Sequence, residues 1–363
     1  MSSSVATGLS FGQPGRINHA EKAIRQAMEK LATEQANAVL LFLSADQAQN
    51  PAPIIRSVAR IAGCTQVFGC IGTGLITEDE WVLDASGAAV MAFTDPIHCL
   101  PADIRKPERL KICFCKPADV DMQWLLQSAN RFGAIAADNL GTGPFAVWQA
   151  AGVLPEQPSM VEIQGVHQEI LTARGLRILS QPQCINETRG YEILQLSNKP
   201  ALEQMLQVLP GNTGEEFPSH MLMCGVTYGN TENAIEDERY HLNHILQTDS
   251  SNHSVTLSEM LQPGDHVFWA VRDHLAAEFD LQFAIYEAKE NLGGPPEFAI
   301  LLPCISRGPS FYDGKDRDLE ILRQHFPDLL IIGIYNNGQL TPGSKKTRLN
   351  LYSTVAGLFA LNS

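Results

Sequence analysis

Two continuous apolar runs constrain the fold of this chain more than any other feature. They are Ala38–Ser44 near the start and Phe298–Cys304 near the end. A run of this length is typical of a strand buried on both faces of a sheet, and it falls far short of the ~20 apolar residues that a membrane helix needs. Each run follows a segment with helical periodicity, residues 18–36 in one case and Asp273–Asn291 in the other. The two runs therefore predict a fold that mixes helices with a buried sheet.

The elements around the two runs come in the same order. After each run we predict a loop, a short helix and a further strand that leads into a glycine-framed loop, Gly69–Gly74 in the first part and Gly333–Gly338 in the second. The region between, about 100–270, holds many short strand-like segments separated by Pro-Gly and Gly breaks. The sequence thus predicts an α/β or α+β fold, in which two similar sheet-and-helix units from a duplication are joined by a strand-rich middle.

A domain boundary is expected in that middle region. The polar stretch Pro210–Pro218, with prolines at both ends and two glycines, is the best linker candidate. We therefore divide the chain into domains 1–210 and 211–363. In the second domain, the predicted helix Asp273–Asn291 carries large apolar residues on one side, namely Leu275, Phe279, Phe283 and Tyr286.

The charge balance excludes several classes of partner. Lys and Arg total 26 against 40 Asp and Glu, which gives a formal net charge of −14. Binding to nucleic acid or to an anionic membrane surface requires concentrated positive charge, so neither is expected. The N-terminus lacks the charged and apolar segments of a secretory signal, and the eight cysteines are scattered. These features predict reduced thiols in a cytoplasmic protein without membrane insertion.

The end of the second apolar run offers a candidate chemical group. Cys304 and Arg307 follow that strand closely, and ligands of open α/β sheets bind beyond the carboxyl ends of strands. A thiolate beside a guanidinium would be reactive, although a buried strand-end thiol is the simpler interpretation. A cysteine hydrolase would also need a positioned His, and the sequence places none. Ser44, the counterpart of Cys304, lacks a G-x-S-x-G elbow, so it is expected to line a pocket or cap a helix.

No other motif indicates catalysis or a metal. The Gly69–Gly74 loop matches neither the dinucleotide fingerprint nor the P-loop, so its glycines are expected to serve a turn. Cys113 and Cys115 form one pair without a second, which does not predict a metal site. His241 and His244 would face opposite sides of a strand, and either could still be an axial haem ligand. We therefore predict that the chain is not an enzyme, and haem is the one cofactor left open.

Several ordered blocks resemble the FIST family, a sensory module with N and C parts. The resemblance covers most of the chain. Gly69–Gly74 is similar to the G-C-S/T-x-x-G loop of the N part, although Ile71 replaces the Ser or Thr. The middle block runs from Ser180-Gln-Pro-Gln-Cys184 to Pro200-Ala-Leu202, where Gln-Pro-Gln departs from the family's Q-G. On this resemblance, 1–210 is the FIST N-like domain and 211–363 the FIST C-like domain of a stand-alone bacterial type.

The C part carries the most specific blocks. The segment from Pro263-Gly-Asp to Arg272-Asp273 is similar to the family's G-x-x-v-x-x-x-x-R-D. Cys304-Ile-Ser-Arg307-Gly308 resembles C-x-x-R-G, and Gly333-Ile-Tyr-Asn-Asn-Gly338-Gln339 resembles G-f-x-x-x-G-E. Gln339 replaces the usual acid, which removes a charge from the expected pocket.

The resemblance implies a small-molecule sensor, with amino acids or similar metabolites as ligands. Some bacterial members bind haem and sense nitric oxide. We recognise no output segment such as a kinase or an F-box, so a separate signalling protein is the expected partner. A haem-based nitric-oxide sensor, a protein-interaction scaffold and a Cys-dependent enzyme stay open as alternatives.

The resemblance also implies a pocket where the two glycine-framed loops approach each other. Its expected wall is formed by Cys70, Thr73, Arg272, Cys304, Arg307, Tyr335, Asn336 and Gln339. Arg272 or Arg307 would pair with a ligand carboxylate. Tyr335 would stack or hydrogen-bond, and Asn336 and Gln339 would bind an amino or amide group.

Overall fold

A computed structural model describes residues 3–14, 18–103, 105–209, 219–237 and 239–362. Two compact units result, one from residues 1–174 together with 280–363 and the other from Gly175–Phe279. Compactness therefore does not divide the chain at residue 210, because the C-terminal strands return to the unit that contains the N-terminus. The domains 1–210 and 211–363 stay a prediction about sequence families. The predicted linker Pro210–Pro218 lies outside the described residues.

The first repeat of the fold runs from the N-terminus to residue 93. It consists of β1 (Val5–Gly12), α1 (His19–Leu31), β2 (Ala38–Ser44), α2 (Ala52–Ala62), β3 (Val67–Gly72), β4 (Gly74–Thr77), β5 (Trp81–Leu83) and β6 (Ser86–Phe93). The side chain of Asn18 accepts a hydrogen bond from the backbone N–H of Glu21 and so caps α1. All of β2 is buried, as its continuous apolar run predicts.

The second repeat follows at once and has shorter elements. It consists of β7 (His98–Pro101), β8 (Lys111–Cys115), α3 (Met122–Leu126), β9 (Arg131–Ile135), β10 (Val147–Gln149), β11 (Gly152–Val153) and β12 (Ser159–Gln164). In the described residues between β7 and β8 there is no counterpart of α1. The third repeat opens with β13 (Val166–Ala173) and is then interrupted by the second compact unit.

The second compact unit forms only the later part of the predicted strand-rich middle, about 100–270, because residues 100–174 belong to the first unit. It contains β14 (Leu176–Ile178), β15 (Gln183–Arg189), β16 (Glu192–Leu196), β17 (Lys199–Pro200), α4 (Ala201–Val208), β18 (Leu222–Thr227), β19 (Tyr240–Asp249), β20 (Ser254–Leu257) and β21 (His266–Arg272). The strands β18, β19, β20, β16, β15 and β21 pair in that order, and β21 pairs again with β18, so the antiparallel ring closes. The core of this unit packs α4 against the ring around Trp269.

The third repeat resumes with a long helix. Its elements are α5 (His274–Leu292), β22 (Phe298–Pro303), α6 (Arg317–His325), β23 (Leu330–Tyr335), β24 (Gln339–Thr341), β25 (Arg348–Asn350) and β26 (Thr354–Leu361). The prediction of a mixed α/β fold with a strand-rich region is confirmed. Within the part of the chain that the structure describes, no helix is long and apolar enough to span a membrane.

Three six-stranded sheets of the first unit share one strand order. The orders are β1-β6-β2-β3-β10-β11 in the first sheet, β7-β12-β8-β9-β24-β25 in the second and β13-β26-β22-β23-β4-β5 in the third. In each sheet the third and fourth strands run parallel. The other neighbours run antiparallel. Three units, and not only the predicted two, therefore share this topology. A duplication as their origin stays a prediction.

The outer hairpin of each sheet comes from a different repeat. The hairpin β4–β5 follows β3 along the chain but joins the third sheet beside β23. The hairpin β24–β25 follows β23 and joins the second sheet beside β9. The hairpin β10–β11 follows β9 and joins the first sheet beside β3. The first repeat thus contributes its hairpin to the third sheet, the third repeat to the second sheet, and the second repeat to the first sheet.

One glycine in each sheet permits the close approach of the parallel strands. Gly69, Gly133 and Gly333 lie opposite Leu41, Cys113 and Leu301 in register. A Cβ atom added at these glycines would lie 1.9, 1.7 and 2.4 Å from the carbonyl oxygens of those partners. No side chain fits at such distances, so the glycine in each strand is a requirement of the sheet rather than of a phosphate site.

Candidate functional site

The candidate site lies where the two parallel strands of the third sheet end. A 3₁₀ turn, Ile305–Arg307, follows β22, and the corresponding turns Ala45–Gln47 and Pro117–Asp119 follow β2 and β8. Cys304 begins the turn in the third repeat, as Ser44 does in the first. The fold thus places the C-x-x-R block at the carboxyl end of a parallel strand, where α/β sheets bind ligands.

A buried ion pair dominates this end of the third sheet. Arg307 donates from Nε to Asp318 Oδ2 at 2.9 Å and from Nη2 to Asp318 Oδ1 at 3.1 Å, and both side chains are 1% exposed. Arg307 also donates from Nη1 to the carbonyl oxygen of Ala173 at 2.9 Å. Burial alone would lower the pKa of Arg307, yet the adjacent Asp318 carboxylate raises it. The guanidinium is therefore held charged and clamped in place.

Hydroxyl groups complete the shell of Asp318. The Tyr312 hydroxyl donates to Asp318 Oδ1 at 2.8 Å, and the Thr354 hydroxyl donates to Asp318 Oδ2. Burial raises the pKa of Tyr312, and the charge of Asp318 acts in the same direction. Tyr312 therefore stays protonated and serves as a donor. The carboxylate has partners on both oxygens, as a buried charge requires.

A second carboxylate stands beside the first at the start of α6. Asp316 Oδ1 accepts from the backbone N–H of Leu319 at 2.8 Å and caps the helix, while its Oδ2 accepts from the Tyr335 hydroxyl. Burial, together with the negative charge of Asp318, raises the pKa of Asp316 to about 6. Burial also raises the pKa of Tyr335. A pKa of about 6 allows Asp316 to change its protonation near neutral pH.

Amide and hydroxyl side chains fix the loop after β23. Asn336 Nδ2 donates to the carbonyl oxygen of Pro303 at 3.2 Å, and its Oδ1 accepts from Gly338 N at 3.1 Å. The amide of Gln339 contacts Asn336 Oδ1 at 2.7 Å and Ser353 Oγ at 2.8 Å. Both amide side chains are almost fully buried. These bonds tie β22, β23 and the start of β26 together.

The structure brings most of the expected wall residues together, but as mutual partners. Thr73 donates from N and Oγ1 to the carbonyl oxygen of Tyr335, at 3.0 and 3.1 Å. Cys304 is 4% exposed, and its Sγ lies 3.0 Å from Ser306 Oγ. We call the following residues the polar cluster: Thr73, Cys304, Arg307, Tyr312, Asp316, Asp318, Tyr335, Asn336, Gln339, Ser353 and Thr354. The assignment of its members to a ligand pocket stays a prediction.

Two of the expected wall residues lie outside the polar cluster. Cys70 is fully buried on β3 within the largest apolar core, and burial raises its pKa well above the ordinary value. Arg272 ends β21 in the second unit, where it pairs in register with Leu176. Cys70 therefore has the surroundings of a packing residue. The role of Arg272 as a ligand contact stays a prediction.

Sequence reasoning missed the acidic half of the polar cluster. Neither Asp316 nor Asp318 is among the candidate residues predicted from the sequence, whereas α6 begins at Arg317 with Asp316 as its cap. An Asp just before an apolar-periodic segment is a capping signal, so Asp316 could have been found. The burial of Asp318 could not, because an Asp in the first turn of a helix is usually exposed.

The histidines considered for haem lie on β19 in the second unit. His241 is about half exposed, and its Nε2 lies 2.8 Å from Glu259 Oε2. Burial lowers the pKa of His244, and the positive charge of Arg272 adds to this effect. Neither observation tests the prediction of a haem ligand. Across the described ranges, no group of three or more His, Cys, Asp or Glu could hold a metal ion.

Open clefts in the first unit lie near the opposite ends of the same strands. A cleft of about 580 Å³ near the start of β2 is lined by residues that include Gln35, Asn37 and His98. A cleft of about 660 Å³ near the start of β22 is lined by residues that include His167 and Glu297. Neither is lined by members of the polar cluster. We retain the polar cluster as the candidate site because it concentrates the charged, buried side chains.

Comparison with known proteins gives relatives of similar length and a domain match. The chain is 22% identical over 373 residues to an uncharacterized protein of Mycobacterium bovis, covering 95% of this chain and 96% of the relative. It is 20% identical over 380 residues to an uncharacterized protein of Mycobacterium tuberculosis, covering 98% and 99%. The match to a known domain contains α4, the candidate turn and β23. Residues 201–342 match the FIST C domain, a sensory signal-transduction domain.

Proposed function

We propose that this chain is a small-ligand sensor of the FIST type, with a FIST N-like part ahead of its FIST C domain. The observation that carries the proposal is the FIST C match at residues 201–342, which includes Cys304, Arg307 and the Tyr335–Gln339 segment. Relatives aligned over 95% or more of their length support one architecture for the whole chain. The ligand class that we propose is an amino acid or a similar metabolite.

The polar cluster supports a role in shaping the site. A buried ion pair such as Arg307–Asp318 contributes little net stability, because desolvation offsets the attraction between the charges. Its presence is explained if it fixes the turn 305–307 in one conformation. A preorganised turn loses less entropy when a ligand binds, which raises the affinity.

The geometry also separates the two arginines proposed for a ligand carboxylate. Arg307 already donates two hydrogen bonds to Asp318 and one to Ala173, so its guanidinium group is held by partners within the protein. Arg272 is half-buried at the end of β21. We therefore assign to Arg307 the positioning of the turn. Arg272 lies within the FIST C match, and we keep it as the proposed partner of a ligand carboxylate.

We propose no catalytic role for Cys304. A catalytic thiol requires a base within hydrogen-bonding reach, and the polar group beside Cys304 Sγ is the Ser306 hydroxyl. Its low exposure also limits access by a substrate. Within the proposal, the chain acts by binding, and its signal passes to a separate protein.

A thermal-shift screen of amino acids and related metabolites tests the proposal. A ligand that binds the folded state raises the melting temperature in a concentration-dependent way. We expect at least one compound to do so, and we expect Arg272→Ala to abolish the shift. Arg189→Ala is the matched control, because Arg189 is exposed in the same unit and pairs locally with Glu192.

Two results would contradict the proposal. If no compound raises the melting temperature, the small-ligand role is contradicted. If Arg272→Ala keeps the full shift in melting temperature, the proposed pairing of Arg272 with the ligand carboxylate is contradicted. An absorption spectrum of protein expressed with a haem precursor is the companion measurement. A Soret band would replace the amino-acid ligand by haem and direct attention to His241 and His244.

A further inference from the structure

Helix α5 has apolar residues on two opposite faces. One face is buried against the third sheet through Leu281, Ile285, Ala288 and Leu292. The other carries four large side chains, each 54–77% exposed, and we call it the aromatic stripe: Leu275, Phe279, Phe283 and Tyr286. The sequence predicted these four on one side of the helix. They do lie on one side, but that side is the exposed one.

The equivalent helix of the first repeat provides an internal comparison. In α1 the buried residues Ala20, Ile24, Ala27 and Leu31 follow the same spacing as Leu281, Ile285, Ala288 and Leu292. With the helices aligned in this way, exposed Lys22 and Arg25 of α1 stand where α5 has Phe283 and Tyr286. A helix in this position therefore needs only one apolar face to pack on its sheet.

An exposed row of large apolar side chains is the signature of a docking surface. Scattered exposed apolar residues are ordinary, but contiguous ones mark interaction sites. The stripe covers about three turns, or roughly 17 Å along the axis, which matches the contact length of a helix laid against it. Its aromatic residues are the types enriched at the energetic centres of interfaces.

Charges beside the stripe indicate what kind of partner fits. Exposed Glu287 lies on one side of the stripe and exposed Gln282 on the other, while exposed Glu290 continues the row one turn beyond Tyr286. Lys289, on the same side as Gln282, is engaged by the His325 carbonyl oxygen at 3.2 Å and the Phe326 ring at 4.5 Å. Lys289 keeps its positive charge, so the two glutamates against one lysine leave the surroundings of the stripe net acidic.

A second copy of the chain fits this surface poorly. In an antiparallel pair related by a two-fold axis, the flank with Glu287 would face its own copy. Each chain also carries a formal net charge of −14, which opposes self-association. A partner with basic flanks has the complementary charge and would be attracted.

We propose that the aromatic stripe of α5 docks an amphipathic helix of another protein, whose apolar face is flanked by Lys or Arg. This inference rests on the proposed sensory function only in that the partner would then carry the signal. The docking is measured without any amino acid present. Failure of the docking surface and failure of ligand sensing therefore appear in separate experiments.

The test uses the full chain and two synthetic helical peptides of about 18 residues, long enough to cover the stripe. Both have Leu at helical spacing; one is flanked by Lys and the other by Glu. We expect the Lys-flanked peptide to bind, measured by fluorescence anisotropy, and the Glu-flanked peptide to bind about tenfold more weakly or not at all.

The decisive variant gives α5 the two basic residues that α1 carries at the equivalent positions. Phe283→Lys combined with Tyr286→Arg should weaken binding of the Lys-flanked peptide by about tenfold or more, since the aromatic anchors are lost and the rim is neutralised. Both sites are exposed, so the melting temperature should be nearly unchanged. Lys22→Ala with Arg25→Ala on α1 is the control and should leave peptide binding unchanged.

Several results would overturn the inference. They are a failure of the wild-type protein to bind the Lys-flanked peptide, equal binding by the α5 variant, and equal binding of the two peptides. Sedimentation equilibrium supplies a further check. Self-association of the wild type that the α5 variant abolishes would show a second copy to be the occupant.

Discussion

The first and third sheets end in the same geometry but with different chemistry. At the end of β2, Ser44 Oγ accepts from Gly87 N at 2.8 Å, and Gln47 Nε2 donates to the Gly87 carbonyl oxygen at 2.6 Å. At the end of β22, the position equivalent to Gln47 is Arg307, which pairs with buried Asp318. The Ser44 hydroxyl also donates to Asp46 Oδ1 at 2.5 Å, and these hydrogen bonds close the turn without a buried ion pair. The buried charges of the third sheet are an addition to the fold, which supports a functional reason for them.

The largest expected effect separates these two turns. Arg307→Ala leaves Asp318 buried without its countercharge and should destabilise the protein by about 3–5 kcal/mol. Gln47→Ala removes only neutral hydrogen bonds at the equivalent position and should cost about 1 kcal/mol. Urea unfolding of both variants measures the difference. Equal losses would mean that the ion pair of the third sheet has no special role.

The next effect concerns what the two sheets have in common. Gly69→Ala should destabilise the protein by about 3 kcal/mol, because its Cβ would overlap the Leu41 carbonyl oxygen and its φ of +146° suits glycine. Gly333→Ala should cost somewhat less, about 2 kcal/mol, since the distance to the Leu301 oxygen is longer.

Gly190→Ala is the control for these two substitutions. Its Cβ would meet nothing within 4 Å, although its φ is +63°. The expected cost is about 1 kcal/mol, from the backbone conformation alone. A Gly69→Ala variant as stable as Gly190→Ala would contradict the role of the glycine in strand packing.

The last expected effect depends on pH and concerns Asp316 of the third repeat. The pKa of Asp316 is about 6 in the folded chain and about 4 when unfolded, so folding favours its protonated form. Its contribution to stability is complete below about pH 4 and is lost as the pH rises to about 6. Asp316→Asn removes this titration and can still cap α6.

Unfolding free energies of wild type and Asp316→Asn at pH 4.5 and 7.5 test this point. The variant should gain about 2 kcal/mol relative to wild type between the two pH values, because only wild type must ionise a buried group. Other titrating groups cancel in the difference. A constant difference would show that the Asp316 pKa is unshifted.

The sequence predicted the parts of the fold that depend on local pattern. The buried strands β2 and β22 follow from their apolar runs, and the helices before them follow from periodicity. The second repeat was missed because α3 has five residues and the described residues between β7 and β8 contain no helix. The hairpin exchange was missed because it joins segments that are distant in sequence, and local patterns do not specify such pairing.

For the candidate site, the sequence identified residues but not their partners. Arg307, Tyr335, Asn336 and Gln339 do converge, yet Asp318 and its contacts with Arg307 arise only from the packing of α6. On α5, periodicity grouped the aromatic residues correctly. It could not decide which of two apolar faces is buried, because that depends on the shape of the sheet beneath.

The exchanged hairpins have a consequence for how such a chain could have originated. A polypeptide holding one repeat alone would lack the two outermost strands of its own sheet and would offer its hairpin to a neighbour. Three such polypeptides could complete one another in a closed ring, with no hairpin left to offer to a fourth copy. Fusion into one chain would then fix the stoichiometry and free each copy to diverge. A loop of the last copy could accept a large insertion while the others kept the ring closed.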